Sequence, residues 1–382
     1  MDDLLRRLRE DEFPIIEKCA YLNHAGVGPL PRRSAARMRM LAEWVSCTGD
    51  RHWLERQEEA DRVRGLAARL LGARETHEVA FIENTSSGIS LVAEGLDWKP
   101  GDNVVGADFE FPSNIYPWMN LASRGVEFRR AAERDGRIDP EELLSLIDDR
   151  TRMLGLSWVQ YASGFRSDLA RLGSACRERG VLFVVDVIQG LGALPIHVED
   201  DFVDVAVASS HKWLLGPEGI GILYVSDRVV EQLRPVRAGW RSVRELFQWA
   251  DFDLTWGEGA TRFESGSLNV YGIVALGGSL EILLEAGADR IEPWVLSLAE
   301  RGARGLKDLG FAVVSSRVPG ETSGIVTAVP PGGQDAAELA KKLNARDVVV
   351  AARAGRLRIS PHLYNTEGEV DRFLETLEGC LE

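Results

Sequence analysis

The chain has 382 residues, 45% of them hydrophobic and 27% charged, with a formal net charge of −14. That length suits one large and one small domain, and the acidic balance argues against a nucleic-acid partner, which calls for a basic surface. The four cysteines, Cys19, Cys47, Cys176 and Cys380, form no CxxC pair and no metal spacing, and no apolar run approaches membrane-spanning length.

The N-terminus, MDDLLRRLREDEF, is charged throughout and does not read as a signal peptide, so a soluble, cytoplasmic protein with no membrane partner is expected. Residues 1–20 read as a short amphipathic helix and a lead-in. YLNHAGVGPLPRR follows, a Gly/Pro-rich loop in which Asn23 and His24 sit close to glycines, where the backbone can approach a ligand. Helical spacing covers 32–48 and 54–72. From Glu78 short apolar strands alternate with helices: VAFIEN, a helix from Thr85, DNVVGAD, a helix in SNIYPWMNLASRG, VEFRRA, a helix in DPEELLSLI, TRMLGLSWV, a helix in SDLARLGSACRERG, VLFVVD and VDVAVAS. Alternation with strands apolar on both sides predicts a mainly parallel sheet between helices, with ligands gathering at the carboxyl ends of the strands. Thr85, Phe111, Tyr161, Asp186 and Ser209 all fall just after such ends. The stretch 234–269 is loop-rich. A long helix at VYGIVALGGSLEILLEAG follows, and then a smaller α/β unit. The expected division is an N-terminal segment 1–20 packed with the small domain, a large domain 21–260 and a small domain 261–382.

Three constellations carry chemistry. ENTSSGISL puts hydroxyls and a glycine in the first turn of a helix, an anion site built from free N–H groups and the helix dipole, although Thr85 and Ser86 also serve as plain caps. Asp186, at the end of VLFVVD, could keep a pyridine nitrogen protonated, and Gln189 could donate to a ring oxygen. Ser209-Ser210-His211-Lys212 ends the next strand with a lone amine, a candidate nucleophile toward a carbonyl. The chain lacks GxxxxGK[ST] and has no GxGxxG after a strand, which disfavours a P-loop site and a nicotinamide-dependent oxidoreductase.

In this order, with the closing RLRISPHLYNT, the motifs resemble the class V aminotransferase family of fold-type I pyridoxal-phosphate enzymes, a group that includes cysteine desulfurases and isopenicillin N epimerases. The resemblance covers roughly Tyr21 to Leu377. It implies a large domain with a seven-stranded sheet and a smaller α/β C-terminal domain, and a pyridoxal 5'-phosphate cofactor in Schiff-base linkage to Lys212. It also implies Asp186 under the pyridine nitrogen, Gln189 near the phenolic oxygen, and Thr85, Ser86, Ser209 and His211 at the phosphate. Ser267, in RFESGSLN, would reach the phosphate of a neighbouring subunit, which makes a homodimer the expected assembly. Arg358 falls on the family's carboxylate-binding arginine and offers a bidentate fork to an amino-acid substrate; Arg353 is a weaker second candidate.

The chain departs from the family's desulfurases at three places. No cysteine lies between Cys176 and Cys380, so the thiol that desulfurases carry on a mobile loop is missing. Phe111 stands where desulfurases place a stacking histidine, and it can stack but not transfer protons. Tyr161 replaces an asparagine and could bond the ring oxygen, while Arg166 could meet a substrate side-chain acid. The resulting expectation puts transamination first, a C–S lyase working without an enzyme thiol second, and amino-acid epimerisation third. A non-catalytic cofactor-binding homologue is the bland alternative. Lys212 carries the proton transfer in each catalytic case.

Overall fold

The computed structural model describes residues 1–248 and 250–381. Eleven α-helices are described: α1 Asp3–Glu12, α2 Arg32–Thr48, α3 Trp53–Leu71, α4 Thr85–Gly95, α5 Tyr116–Asn120, α6 Pro140–Ser145, α7 Leu169–Arg179, α8 Val270–Ala286, α9 Ala288–Asp308, α10 Ala336–Asn344 and α11 Glu367–Leu381. The first ten strands are β1 Ala20–Tyr21, β2 Val79–Ile82, β3 Asn103–Ala107, β4 Glu127–Ala131, β5 Glu133–Arg134, β6 Arg137–Ile138, β7 Thr151–Ser157, β8 Leu182–Asp186, β9 Val205–Ser209 and β10 Gly221–Val225. The remaining five are β11 Ala312–Val313, β12 Val326–Val329, β13 Val348–Val349, β14 Ala351–Arg353 and β15 Arg356–Ile359.

Seven strands form the large sheet in the order β2-β10-β9-β8-β7-β3-β4. β10 pairs antiparallel with both its neighbours, and the other strands run one way. Their carboxyl ends therefore open on one edge, as expected of a doubly covered α/β sheet. The two-residue period of the strands divides their apolar side chains between two cores. Val105, Leu154, Leu156, Phe183, Val185, Ala206 and Ala208 enter one. Val104, Met153, Leu182, Val184, Val205 and Val207 enter the other. A third core lies under the small antiparallel sheet β11-β12-β15-β14, filled from α10, α11 and the second half of α9.

Several elements differ from the sequence reading. Residues 113–125 do not form one helix: a 3-10 turn at Pro112–Asn114, α5 and a second 3-10 turn at Leu121–Arg124 share the span, with Pro117 confined to the first turn of α5, where its missing N–H costs nothing. α9 was not anticipated, although Ile291, Val295, Leu298, Ala299, Gly302 and Leu306 bury one helical face. α8 packs against α2 and α3, and its Ile273, Leu276, Leu280 and Leu283 join the core of the large sheet. The change of core thus comes within α9, later than the expected division at 260/261. The N-terminal segment is shared between the two units. Leu5, Leu8 and Phe13 enter the large core, Arg9 pairs with Glu369 at 3.1 Å, and β1 pairs parallel with β13. No single described helix is long and apolar enough to cross a membrane.

Candidate active site

Lys212 follows β9 in a turn that is tied down on every side. Ser210 Oγ donates to Pro217 O at 2.5 Å, Gly216 N–H donates to Ser210 O at 2.9 Å, and Leu215 N–H donates to Lys212 O at 3.1 Å. Gly28 N–H donates to His211 O at 2.7 Å. A Cβ at Gly28 would lie 2.5 Å from Lys212 O, so only glycine lets the N-terminal loop press against the lysine's peptide. The side chain enters a cavity of about 320 Å3 at the carboxyl edge of the sheet, within the size range of cofactor sites. Its Nζ lies 5.4 Å from the centre of the Phe111 ring. Burial pulls the amine's pKa down, Asp186 opposes that, and the charges of Arg358 and Arg353 add to it. The result is a lysine closer to its neutral, nucleophilic form.

One end of the cavity is the N-terminus of α4. Asn84 caps it by accepting from Ser87 N–H at 2.9 Å. Thr85 N–H donates to Ser209 Oγ at 2.8 Å, Ser209 N–H donates to Thr85 Oγ1 at 3.0 Å, and the Ser86 hydroxyl meets that of Ser113 at 2.6 Å. Helix dipole, rotatable hydroxyls and His211 converge there, a set of donors suited to a phosphate. Burial, and then Lys212, push the His211 pKa down. Gly88 brings α4 this close to the sheet: a Cβ there would sit 2.6 Å from Val207 Cγ1.

At the other end lies Asp186, 2% exposed. Its Oδ1 accepts from Ile188 N–H at 2.9 Å and its Oδ2 from Asn114 Nδ2 at 3.2 Å. Among the described residues no cation pairs with it. Burial raises its pKa, against the Ile188 N–H and Lys212. Gln189 is oriented by Trp213, whose Nε1–H donates to Gln189 Oε1 at 2.9 Å, so the amide nitrogen must face the other way, toward Ala25 O at 3.2 Å and the cavity.

Arg358 projects from β15, 1% exposed. One of its nitrogens donates to Tyr161 O at 2.9 Å, while Nε and Nη2 are buried without a partner. Burial and the neighbouring charge of Arg353 both work against its ionised form, an imbalance that an anion in the cavity relieves. The Tyr161 ring stands edge-on to Phe111 with centroids 5.4 Å apart. Arg353 lines the mouth; its guanidinium donates to Ala352 O and meets no carboxylate among the described residues.

The cavity therefore gathers Thr85, Ser86, Phe111, Tyr161, Asp186, Gln189, Ser209, His211, Lys212 and Arg358. Four candidates lie elsewhere. His24 is fully buried behind the lysine loop, with Nδ1 against Ser360 O at 2.8 Å and Nε2 against the Tyr364 hydroxyl at 3.0 Å. Both nitrogens are committed to packing, and the lining comes instead from the backbone of Ala25 and Gly26. Asn23 pairs by its backbone with Ser360 and is likewise outside the lining. Arg166 is spent on Glu292 at 2.7 Å and on the face of Trp158, in a separate recess. Ser267 is exposed, in another recess with Arg237 and Asn269. The reading also missed Glu110, Asn114 and Ser157, which surround Asp186; single polar residues in turns or at a strand end carry no periodic signal.

The structure fits pyridoxal phosphate on its own terms. A donor-rich helix start, a nucleophilic lysine, an aromatic face and a buried carboxylate that makes no ion pair among the described residues lie in one cavity. The class-V aminotransferase family model matches residues 21–373. The chain belongs to that family. A probable cysteine desulfurase of Methanothermobacter thermautotrophicus is 28% identical over 96% of both chains. A cysteine desulfurase of Salmonella agona is 28% identical over 98% of this chain and 97% of the relative. Among solved structures, apo cysteine desulfurase from Thermococcus onnurineus NA1 superposes with a TM-score of 0.88 at 25% identity, covering 98% of this chain and 97% of its own. The cystine C-S lyase C-DES, in complex with its reaction product cysteine persulfide, shares the fold with a TM-score of 0.89 at 23% identity, covering 96% of this chain and 99% of its own. The fold is that of fold-type I enzymes and the cofactor is pyridoxal phosphate. When bound, that cofactor supplies an electron sink for charge developing at the substrate's α-carbon. Lys212 would hold it covalently, Asp186 would face its ring nitrogen, and the α4 N-terminus with Ser209 and His211 would take its phosphate.

Proposed function

We propose that this class-V enzyme is a C–S lyase that cleaves the β carbon–sulfur bond of cysteine or of its disulfide, cystine, and releases the sulfur without passing it to an enzyme thiol. The observation that carries the reading is the combination of desulfurase relatives with a cavity that no cysteine lines. Cys176 and Cys380 are buried in α7 and α11, Cys47 is exposed on α2, and Cys19 precedes β1. This choice replaces the transamination-first order of the sequence reading, because the relatives favour C–S chemistry.

Arg358 takes the substrate α-carboxylate on its two unpartnered nitrogens. Lys212 would hold the cofactor until substrate binds and would then remove the α-proton. Phe111 offers a flat face and no proton, so the stacking residue gives the departing sulfur no acid, which suits a group that can leave as a thiolate. The balance for cystine is one water consumed, with pyruvate, ammonia and cysteine persulfide formed; for cysteine the sulfur product is sulfide. Arg353 at the mouth is placed to meet a second carboxylate, as cystine has. Ser267, outside its own cavity, fits the expected homodimer in which it serves the partner's phosphate.

The test is incubation of the holoenzyme with L-cysteine and L-cystine, with and without a 2-oxo acid. Pyruvate, ammonia and sulfide or persulfide without any amino acceptor are expected. Alanine as the organic product, turnover only with an acceptor, or D-isomer without pyruvate would each overturn the reading.

A further inference from the structure

Glu110 is a buried carboxylate that the reaction as described does not use. It is 5% exposed and sits in the turn after β3, over the ends of β7 and β8. Ser157 grips both its oxygens: the backbone N–H donates to Oε1 at 2.8 Å and the hydroxyl to Oε2 at 2.5 Å. Gln160 Nε2 adds a donor at 2.7 Å. Burial raises its pKa, and the donors on Ser157, Gln160 and Asn114 pull against that; every short contact is a donor, the set that an ionised carboxylate needs.

That proton order propagates. With its hydrogen committed to Glu110, Ser157 Oγ can only accept, and it accepts from Asn114 Nδ2 at 3.0 Å. Asn114 must therefore present its amino group on this side, where it also reaches Asp186 Oδ2 at 3.2 Å and Glu110 Oε2 at 3.4 Å. Ser157 and Asp186 are register partners at the ends of β7 and β8, so the chain Glu110–Ser157–Asn114–Asp186 spans adjacent strands. Asn114 is 1% exposed, and its amide bridges the two buried carboxylates.

We propose that Glu110 is a positioning residue for the cofactor's ring nitrogen: it orients Asn114 through Ser157 and places a second negative charge behind Asp186. The charged groups acting on Asp186 are Lys212, which favours its ionised form, and Glu110, which favours its protonated form. A proton shared between Asp186 and the ring nitrogen is held more tightly with Glu110 ionised, because losing it leaves two uncompensated carboxylates in a region of low polarity. This holds whichever bond the enzyme breaks, so it does not depend on the C–S lyase reading.

The holoenzyme is reconstituted with pyridoxal phosphate isotope-labelled at the ring nitrogen, and that nitrogen's NMR shift is followed against pH in wild type, Glu110→Gln and Ser157→Ala. In Glu110→Gln the resonance should move toward the unprotonated position at a pH about one to two units below the wild-type transition. Ser157→Ala, which keeps both charges but breaks the relay, should move it the same way by less. A merely structural role would lower the melting temperature and leave the resonance in place. A Glu110→Gln holoenzyme with the wild-type resonance at every pH would overturn the proposal. If that variant does not fold, Ser157→Ala decides alone, with an unchanged resonance counting against it.

Discussion

Two clusters of buried polar groups lie back to back around the lysine loop, and they are built to opposite ends. Behind it, His24, Ser360, His362 and Tyr364 find their partners in one another and in the surrounding backbone. His24 spends both ring nitrogens, His362 Nε2 donates to Trp213 O at 2.9 Å, and Asn365 Oδ1 accepts from His362 N–H at 2.8 Å. In front, Arg358 keeps two nitrogens without partners, and Asp186 makes no ion pair among the described residues. Both clusters draw on the same motifs, the early loop and the closing RxSPHxYN. Buried polarity that is closed on itself locks the N-terminal loop to the C-terminal unit, and buried polarity left open marks the place for a ligand.

That contrast can be broken most sharply at the open cluster. Replacing Lys212 with Ala should lower turnover by about 10²–10⁴-fold or more with the melting temperature little changed. Borohydride reduction of the wild-type holoenzyme should label this lysine alone, and a label on any other lysine would defeat the assignment. Arg358→Lys loses the bidentate fork while keeping a charge. We expect kcat/KM for the amino-acid substrate to fall about 10- to 100-fold, with cofactor affinity, read by titrating the apoenzyme, unaffected.

The closed cluster should answer in stability. Burial pushes His362 from 6.5 down to about 4, and burial lowers His24 as well. The folded state therefore keeps both rings neutral where the unfolded chain takes up protons. Their contribution is fully present above about pH 6.5 and is lost as pH falls toward 4. Between about pH 7 and 5 the loss from His362 is about 2 kcal/mol, and His24 adds to it in the same direction. Thermal unfolding across that range should show the decline, and His362→Gln should flatten it; an equally steep profile in the variant would sink the distinction between the clusters.

Much of the open cluster was legible beforehand. Lys212 and Asp186 end apolar strands, and a parallel sheet delivers strand ends to one edge whatever the loops do. His24 and Asn23 were misread because a histidine beside glycines looks alike whether it faces a ligand or a neighbouring carbonyl. Arg166 was misread for a related reason: its partner Glu292 lies in α9, a helix the reading had not drawn. Trp213 carries no mark of a site in the sequence, yet its indole N–H orients Gln189.

The sequence by itself determined the sheet, the order of the motifs and the chemistry of the lysine, because period and spacing are local properties that survive without coordinates. Only the tertiary structure decided which buried polar groups are satisfied. Whether His24 finds Tyr364, Arg358 keeps two empty nitrogens, or Glu110 stands behind Asp186 depends on pairings between residues far apart in the chain. Hydrogen-bond saturation is a property of those pairings, and no single segment carries it.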